Sequence, residues 1–202
     1  PQATIESVIT HGSIVRAIAD YAFLAAGSEG SVAIAEAPQH DCDWERIRAI
    51  TGLGELVDFY DRELGLELEA IDLRREAVTY RNGVIAERRA LAGDPAGYRL
   101  VDLGERSAFA RSGLDPRRFR GADYDPGPTS KHHTGGRNEY LVSETVLSAD
   151  LVVNLPKLKT HKKTGVATRT CCPITASDRP RRAATSFRAA PRSIACAARP
   201  PR

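Results

Sequence analysis

SVAIAEAP at 31–38 and LELEAIDL at 66–73 are two runs of strand length with helical patterns before and between them. Over Ser13–Ala26, Ile14, Ala17, Ile18, Tyr21, Leu24 and Ala25 recur at helical spacing, with Ser13 suited to cap the start and Gly27 the end. Asp43 is suited to cap a helix over Trp44–Ile50, and Gly54–Leu64 gives another, closed by Gly65. Helix and strand alternating in this way exclude an all-β chain and predict an α/β domain, a mixed or mostly parallel sheet with flanking helices.

Further along, VTYRNGVIAERRAL holds Asn82-Gly83 between two extended runs, a strong hairpin signal, and RLVDLG at 99–104 predicts another strand. Residues 104–138, with six glycines and three prolines, predict a long irregular loop, either a lid-like excursion or disordered. Glu139–Ser148 reads as a helix and DLVVNL at 150–155 as an apolar strand. A chain of 202 residues, 42 % hydrophobic, is long enough to bury one substantial core. No apolar run reaches the roughly 18 residues of a membrane span, and the first residues lack a signal-peptide pattern. The expectation is a soluble, cytoplasmic protein with no membrane partner.

Charge divides the chain at about residue 166. From Gly165 onward there are eight arginines, no lysine and one acid, a charge of +7. Since the whole chain carries +3, residues 1–164 carry −4. Apolar periodicity also stops there. The expected organisation is therefore an α/β domain over 1–166, incomplete at its C-terminus, followed by an Arg/Ala/Pro-rich tail over 167–202 that reads as disordered or out of frame. Cys42, Cys171, Cys172 and Cys196 form no C-x-x-C pair, so neither a zinc knuckle nor an iron–sulfur cysteine motif is expected, and no cofactor can be named.

The chemistry-bearing stretch is LVVNLPKLKTHKKTG, 151–165. The chain has five lysines against 24 arginines, and Lys157, Lys159, Lys162 and Lys163 fall within seven residues. If the strand direction continues past Pro156, Lys157, Lys159 and His161 share one side, with neighbours roughly 6.6 Å apart. Two cations at that distance repel by about 2.5 kcal/mol at an effective dielectric near 20, and an anion between them reverses the sign. Open α/β sheets bind ligands beyond the carboxyl ends of their strands, where this cluster would lie. The site expected is a set of ligand-binding residues, Lys157, Lys159, Thr160, Lys162, Lys163, Thr164 and Gly165, with His161 as the catalytic acid or base. The competing reading is a solvated charge run after a core strand.

Weaker candidates read as polar loops. His132-His133 lacks a third spaced metal ligand, and His40-Asp41-Cys42 is too tightly spaced for one metal ion. Gly135-Gly136 is a flexible joint whose amides could face an anion. No metal site is expected.

SADLVVNLPKLKTHKKTGV resembles the hallmark of the domain-of-unknown-function 362 (DUF362) family of bacteria and archaea, in which an apolar strand leads into P-K-x-K-T-H and then T-G-V-T. Similarity covers most of 13–166, with 148–166 the specific part. The family pattern has threonine at 167 and lysine-asparagine at 171 and 172, where this chain has Ala167, Cys171 and Cys172. Some members carry iron–sulfur segments, which this chain lacks. A looser similarity is to nickel-pincer lactate racemases, in which the histidine is followed by glycine four residues later, a hydroxyl residue six later and the cofactor-bearing lysine ten later. His161 and Gly165 match, and Ala167 and Cys171 do not. The lysine cluster points to a protein binding a phosphate- or carboxylate-bearing small molecule or nucleotide-like cofactor, and the resemblance implies proton transfer at His161; the alternative is a non-catalytic redox-accessory protein related to iron–sulfur-containing members. Nucleic acid is expected only as a non-specific partner of the arginine-rich tail.

Overall fold

The computed structural model describes residues 9–119, 125–161, 165–169 and 173–177, with the backbone course alone for 159–161, 165–169 and 173–177. In chain order the elements are α1 (Gly12–Ala26), β1 (Ser31–Glu36), α2 (Trp44–Ile50), α3 (Leu53–Leu64), β2 (Leu68–Asp72), β3 (Glu76–Arg81), β4 (Val84–Ala90) and β5 (Tyr98–Asp102). There follow α4 (Ala108–Arg111), α5 (Gly127–Lys131), β6 (Glu139–Ser143), α6 (Glu144–Leu147), β7 (Leu151–Asn154), β8 (Lys157–His161), β9 (Gly165–Arg169) and β10 (Pro173–Ser177). The class is α/β, as the helix and strand alternation predicts. The chain divides into two compact units, one of residues 1–97 with 145–202 and the other of 98–144.

The first unit is built on a four-stranded mixed sheet in the order β2-β1-β10-β7. β1 and β2 are parallel, joined through α2 and α3, while β10 runs antiparallel to both β1 and β7. It follows that β1, β2 and β7 all run the same way. From Val32 to Glu36 every residue of β1 is buried, as a strand covered on both faces requires. Val32 and Ile34 meet Val15, Ala19 and Ala22 of α1 and Leu53, Leu56 and Tyr60 of α3. Ala33 and Ala35, on the other face, join Ile71, Leu73 and Val146.

Local signals act as their chemistry demands. The Asp43 carboxylate accepts the Arg46 amide and starts α2. Gly27 and Gly65 end α1 and α3 at positive φ. Asn82 (φ 52°) and Gly83 (φ 78°) give the left-handed pair that a two-residue hairpin turn between β3 and β4 needs. The cap of α1 is His11 instead of Ser13, its Nδ1 accepting the Ser13 amide.

The stripe expected to bury α1 does not. Val15, Ala19 and Ala22 face the sheet, while Ile14, Ala17, Tyr21, Leu24 and Ala25 are exposed and Ile18 is half-buried. Of the fifteen residues of α1, Arg16 and Asp20 alone are charged, so apolar periodicity fits two faces. The alanine-rich face wins because small side chains let the helix approach β1 and β10 closely.

One further segment, 139–148, departs from the helix expected there. Glu139–Ser148 is a strand and then a helical turn, since Tyr140, Leu141 and Val142 alternate along β6 and pair with Val101, Leu100 and Arg99 of β5. The expected loop at 104–138 carries α4, α5 and two 3-10 turns, Gly104–Arg106 and Pro116–Arg118. Beyond 166, where the tail was expected to begin, β9 pairs with β8 and β10 pairs with both β1 and β7. Residues 178–202 lie outside the described residues.

Candidate functional site

The lysine strand leaves the sheet at its carboxyl edge. β1 ends at the buried Glu36, β2 ends in register with it at Asp72, and β7, running the same way, ends at Asn154. Leu155 packs against the core, and its carbonyl accepts the Thr10 hydroxyl at 2.8 Å, so the junction before Pro156 is fixed to the segment that precedes α1. β8 follows at once as one strand of a separate two-stranded antiparallel sheet with β9.

The register of that hairpin sorts the expected site residues. Lys157 is opposite Arg169, Lys159 opposite Ala167, and His161 opposite Gly165. Directly opposed residues of an antiparallel pair share a face. One face therefore holds the positions of Lys157, Lys159, His161 and Arg169, with alanine and glycine as the remaining two. Leu158 and Thr160 take the other face with Thr168 and Val166. Thr160 is thus set apart from the lysines, and Arg169 joins them. Periodicity gave no sign of Arg169, because its place depends on where the chain turns back. Lys162, Lys163 and Thr164 lie outside the described residues.

A second polar site is a groove of about 520 Å³ bordered by Asp41, Cys42, Glu45, Asp72, Arg74 and Arg89. Its organising group is Arg74, which the sequence does not mark. The buried guanidinium binds both oxygens of Asp72, with Nη2–Oδ2 at 2.7 Å, and Nη1 donates to the carbonyls of Gln39 at 3.0 Å and Cys42 at 2.9 Å. The carbonyl bonds tie the 39–42 loop to the end of β2, where Asp72 holds the guanidinium in place. Burial pushes the Cys42 thiol up, against the pull of Arg74, so the sulfur stays protonated at neutral pH and is a poor nucleophile. Acids outnumber bases around the groove, which therefore disfavours anions. Among the described residues no group of three or more His, Cys, Asp or Glu is arranged to hold a metal ion.

In the second unit, His132 and His133 have structural partners. His132 Nδ1 donates to Glu139 Oε2 at 2.6 Å. The His133 ring lies 5.3–6.0 Å from those of Phe109, Phe119 and Tyr140, and its Nδ1 donates to Asn138 Oδ1. Asp102 accepts the amides of Asn138 and Gly104, which hold its carboxyl below the usual range. The irregular segment is thus organised around a histidine ring and a carboxylate.

Among the described residues no helix is long and apolar enough to cross a membrane. No curated protein and no solved structure matches the chain. Residues 80–171 match the family model of a domain of unknown function, DUF362, and this span contains the 148–166 signature from which that resemblance is read.

Proposed function

We propose that this DUF362-like protein binds a phosphate- or carboxylate-bearing small molecule on the cationic face of the β8–β9 hairpin. The observation that carries the reading is the register: Lys157 and Arg169 are directly opposed and Lys159 is two residues on, with no acid among the ten hairpin positions described. Like charges directly opposed destabilise a strand pair, and a bound anion removes that cost. Gly165 opposite His161 leaves that position without a side chain, which gives a ligand room beside the imidazole. In this reading His161 is the group that takes or returns a proton at a carbon next to a carboxylate.

Inorganic phosphate is the first probe. A ligand at 100 times its Kd stabilises the folded chain by about 2.7 kcal/mol, a rise in Tm of roughly 5–10 °C for a protein of this size. The double variant Lys157→Gln, Lys159→Gln is expected to keep its far-UV circular dichroism and lose that rise. An unchanged phosphate response would remove the site.

His161→Gln is expected to keep the phosphate response but lose solvent deuterium exchange at the carbon next to the carboxylate of a 2-hydroxy acid. Exchange that survives in the variant would take the histidine out of the chemistry. Binding without exchange in the parent chain would favour the non-catalytic alternative.

A further inference from the structure

The outward side of α1 carries an apolar seam, flanked by the exposed Asp20. Ile14, Ala17, Tyr21 and Leu24 follow one another at spacings of three, four and three, the seam spacing of paired helices. Ile14 is 51 % exposed, Tyr21 72 % and Leu24 78 %. The two charged residues of the helix are engaged elsewhere: the Arg16 guanidinium lies 4.4 Å from the centre of the Phe59 ring, and Asp20 accepts the Tyr60 hydroxyl. Both are held toward α3, which leaves the seam apolar. A mostly apolar groove of about 480 Å³, lined by Phe23, Leu24, Tyr60, Leu64 and Leu66 with the carboxylate of Asp20 at its edge, adjoins the seam at Leu24 and extends it.

We propose that this face joins two copies of the chain in a two-fold dimer through antiparallel α1 helices. Two arguments favour a second copy. In the antiparallel register that centres the seam, Ile14 of one copy meets Leu24 of the other, and Ala17 meets Tyr21. The largest side chain is thereby opposed by the smallest, so the seam is complementary to itself, as an isologous contact requires. The area reaches the threshold. Fully burying the exposed parts of Ile14, Tyr21, Leu24 and Leu64, roughly 500 Å² per copy, would remove at most about 1,000 Å² from water, the least that a modest specific interface needs. Tyr21 suits such a contact, since its ring is buried while its hydroxyl reaches the wet rim. A membrane surface is a poorer occupant, because interfacial helices carry lysine or arginine beside the apolar face. Arg16, the one cation of α1, is already stacked on Phe59.

Sedimentation equilibrium on the full chain between about 1 and 100 μM, a range that spans the affinity of a modest interface, tests the dimer. The parent is expected to show twice the chain mass, decreasing on dilution. Leu24→Glu, and separately Ala17→Trp, which refills the space opposite Tyr21, should weaken association about 30-fold or more with circular dichroism unchanged. Tyr21→Glu provides an independent variant should either of these misfold. A parent that is monomeric at the top of the range would overturn the proposal. So would association indifferent to Leu24→Glu and Tyr21→Glu, or a monomer that uses this face to bind phosphatidylserine-containing vesicles.

Discussion

Arg74→Met is expected to destabilise the protein by about 3–5 kcal/mol, because removing one partner of a buried ion pair leaves the other charge uncompensated. Arg74 and Asp72 side chains are 6 % and 15 % exposed, and the guanidinium also donates to the carbonyls of Gln39 and Cys42. The methionine variant would leave the Asp72 carboxylate without its cation and two carbonyls without that donor. Arg74→Lys should recover only part of the loss, since a point charge cannot bind Asp72 through two bonds while reaching carbonyls on the 39–42 loop. Adding Asp72→Asn to Arg74→Met should restore about half, as a double-mutant cycle would show. Urea unfolding reads the effect directly. A loss below about 1 kcal/mol for Arg74→Met would mean that the pair is open to water and does not hold the loop.

The contrast between Asp43 and Arg74 indicates what could be read in advance. Asp43 acts on an amide three residues away, and Asn82-Gly83 turns the chain on itself, so both are visible in a short window of sequence. Arg74 acts on carbonyls more than thirty residues away and is one of 24 arginines with nothing local to distinguish it. The same division runs through the candidate site. The scarcity of lysine and the period-two spacing from Lys157 to His161 are sequence properties, and β8 is indeed a strand. The placing of Thr160 on the opposite face from the lysines follows from that same spacing, whereas Arg169 enters only through the pairing of β8 with β9.

Apolar periodicity misleads where a helix has two apolar faces. In α1 the larger residues suggest the core stripe, yet Val15, Ala19 and Ala22 make the close packing against the sheet. For 139–143 the ambiguity is one of length, since five residues satisfy strand and helix patterns alike, and pairing with β5 settles it. PITAS at 173–177 has a single large apolar residue, Ile174, inside a segment of alanine, arginine and proline. Its strand character comes from the two neighbours it lies between, a non-local property that composition cannot express.

Thr175→Pro is expected to cost about 3 kcal/mol or more, because proline within a central strand removes a ladder hydrogen bond and is tolerated essentially only at edges and strand starts. Thr175 is in register with Ala33 of β1 on one side and Val152 of β7 on the other, so β10 has no free edge at which a missing amide would be harmless. The natural Pro173 occupies the first position of the strand, where proline is permitted. Removing the strand altogether, by ending the chain after residue 170, should do more damage. β1 and β7 would lose the strand that joins them, and the backbone groups that pair with β10 would face water or other chains. The truncated chain should therefore lose cooperative urea unfolding and aggregate. These experiments also bear on the origin of the segment beyond 166. A disordered or out-of-frame tail contributes nothing to the sheet, so it predicts unchanged stability for both Thr175→Pro and the truncation. Full stability in both would detach β10 from the domain and return the boundary to 166. A large loss in each would make 173–177 an integral strand, and β1 and β7 would then depend on a segment that its composition alone assigns to the tail.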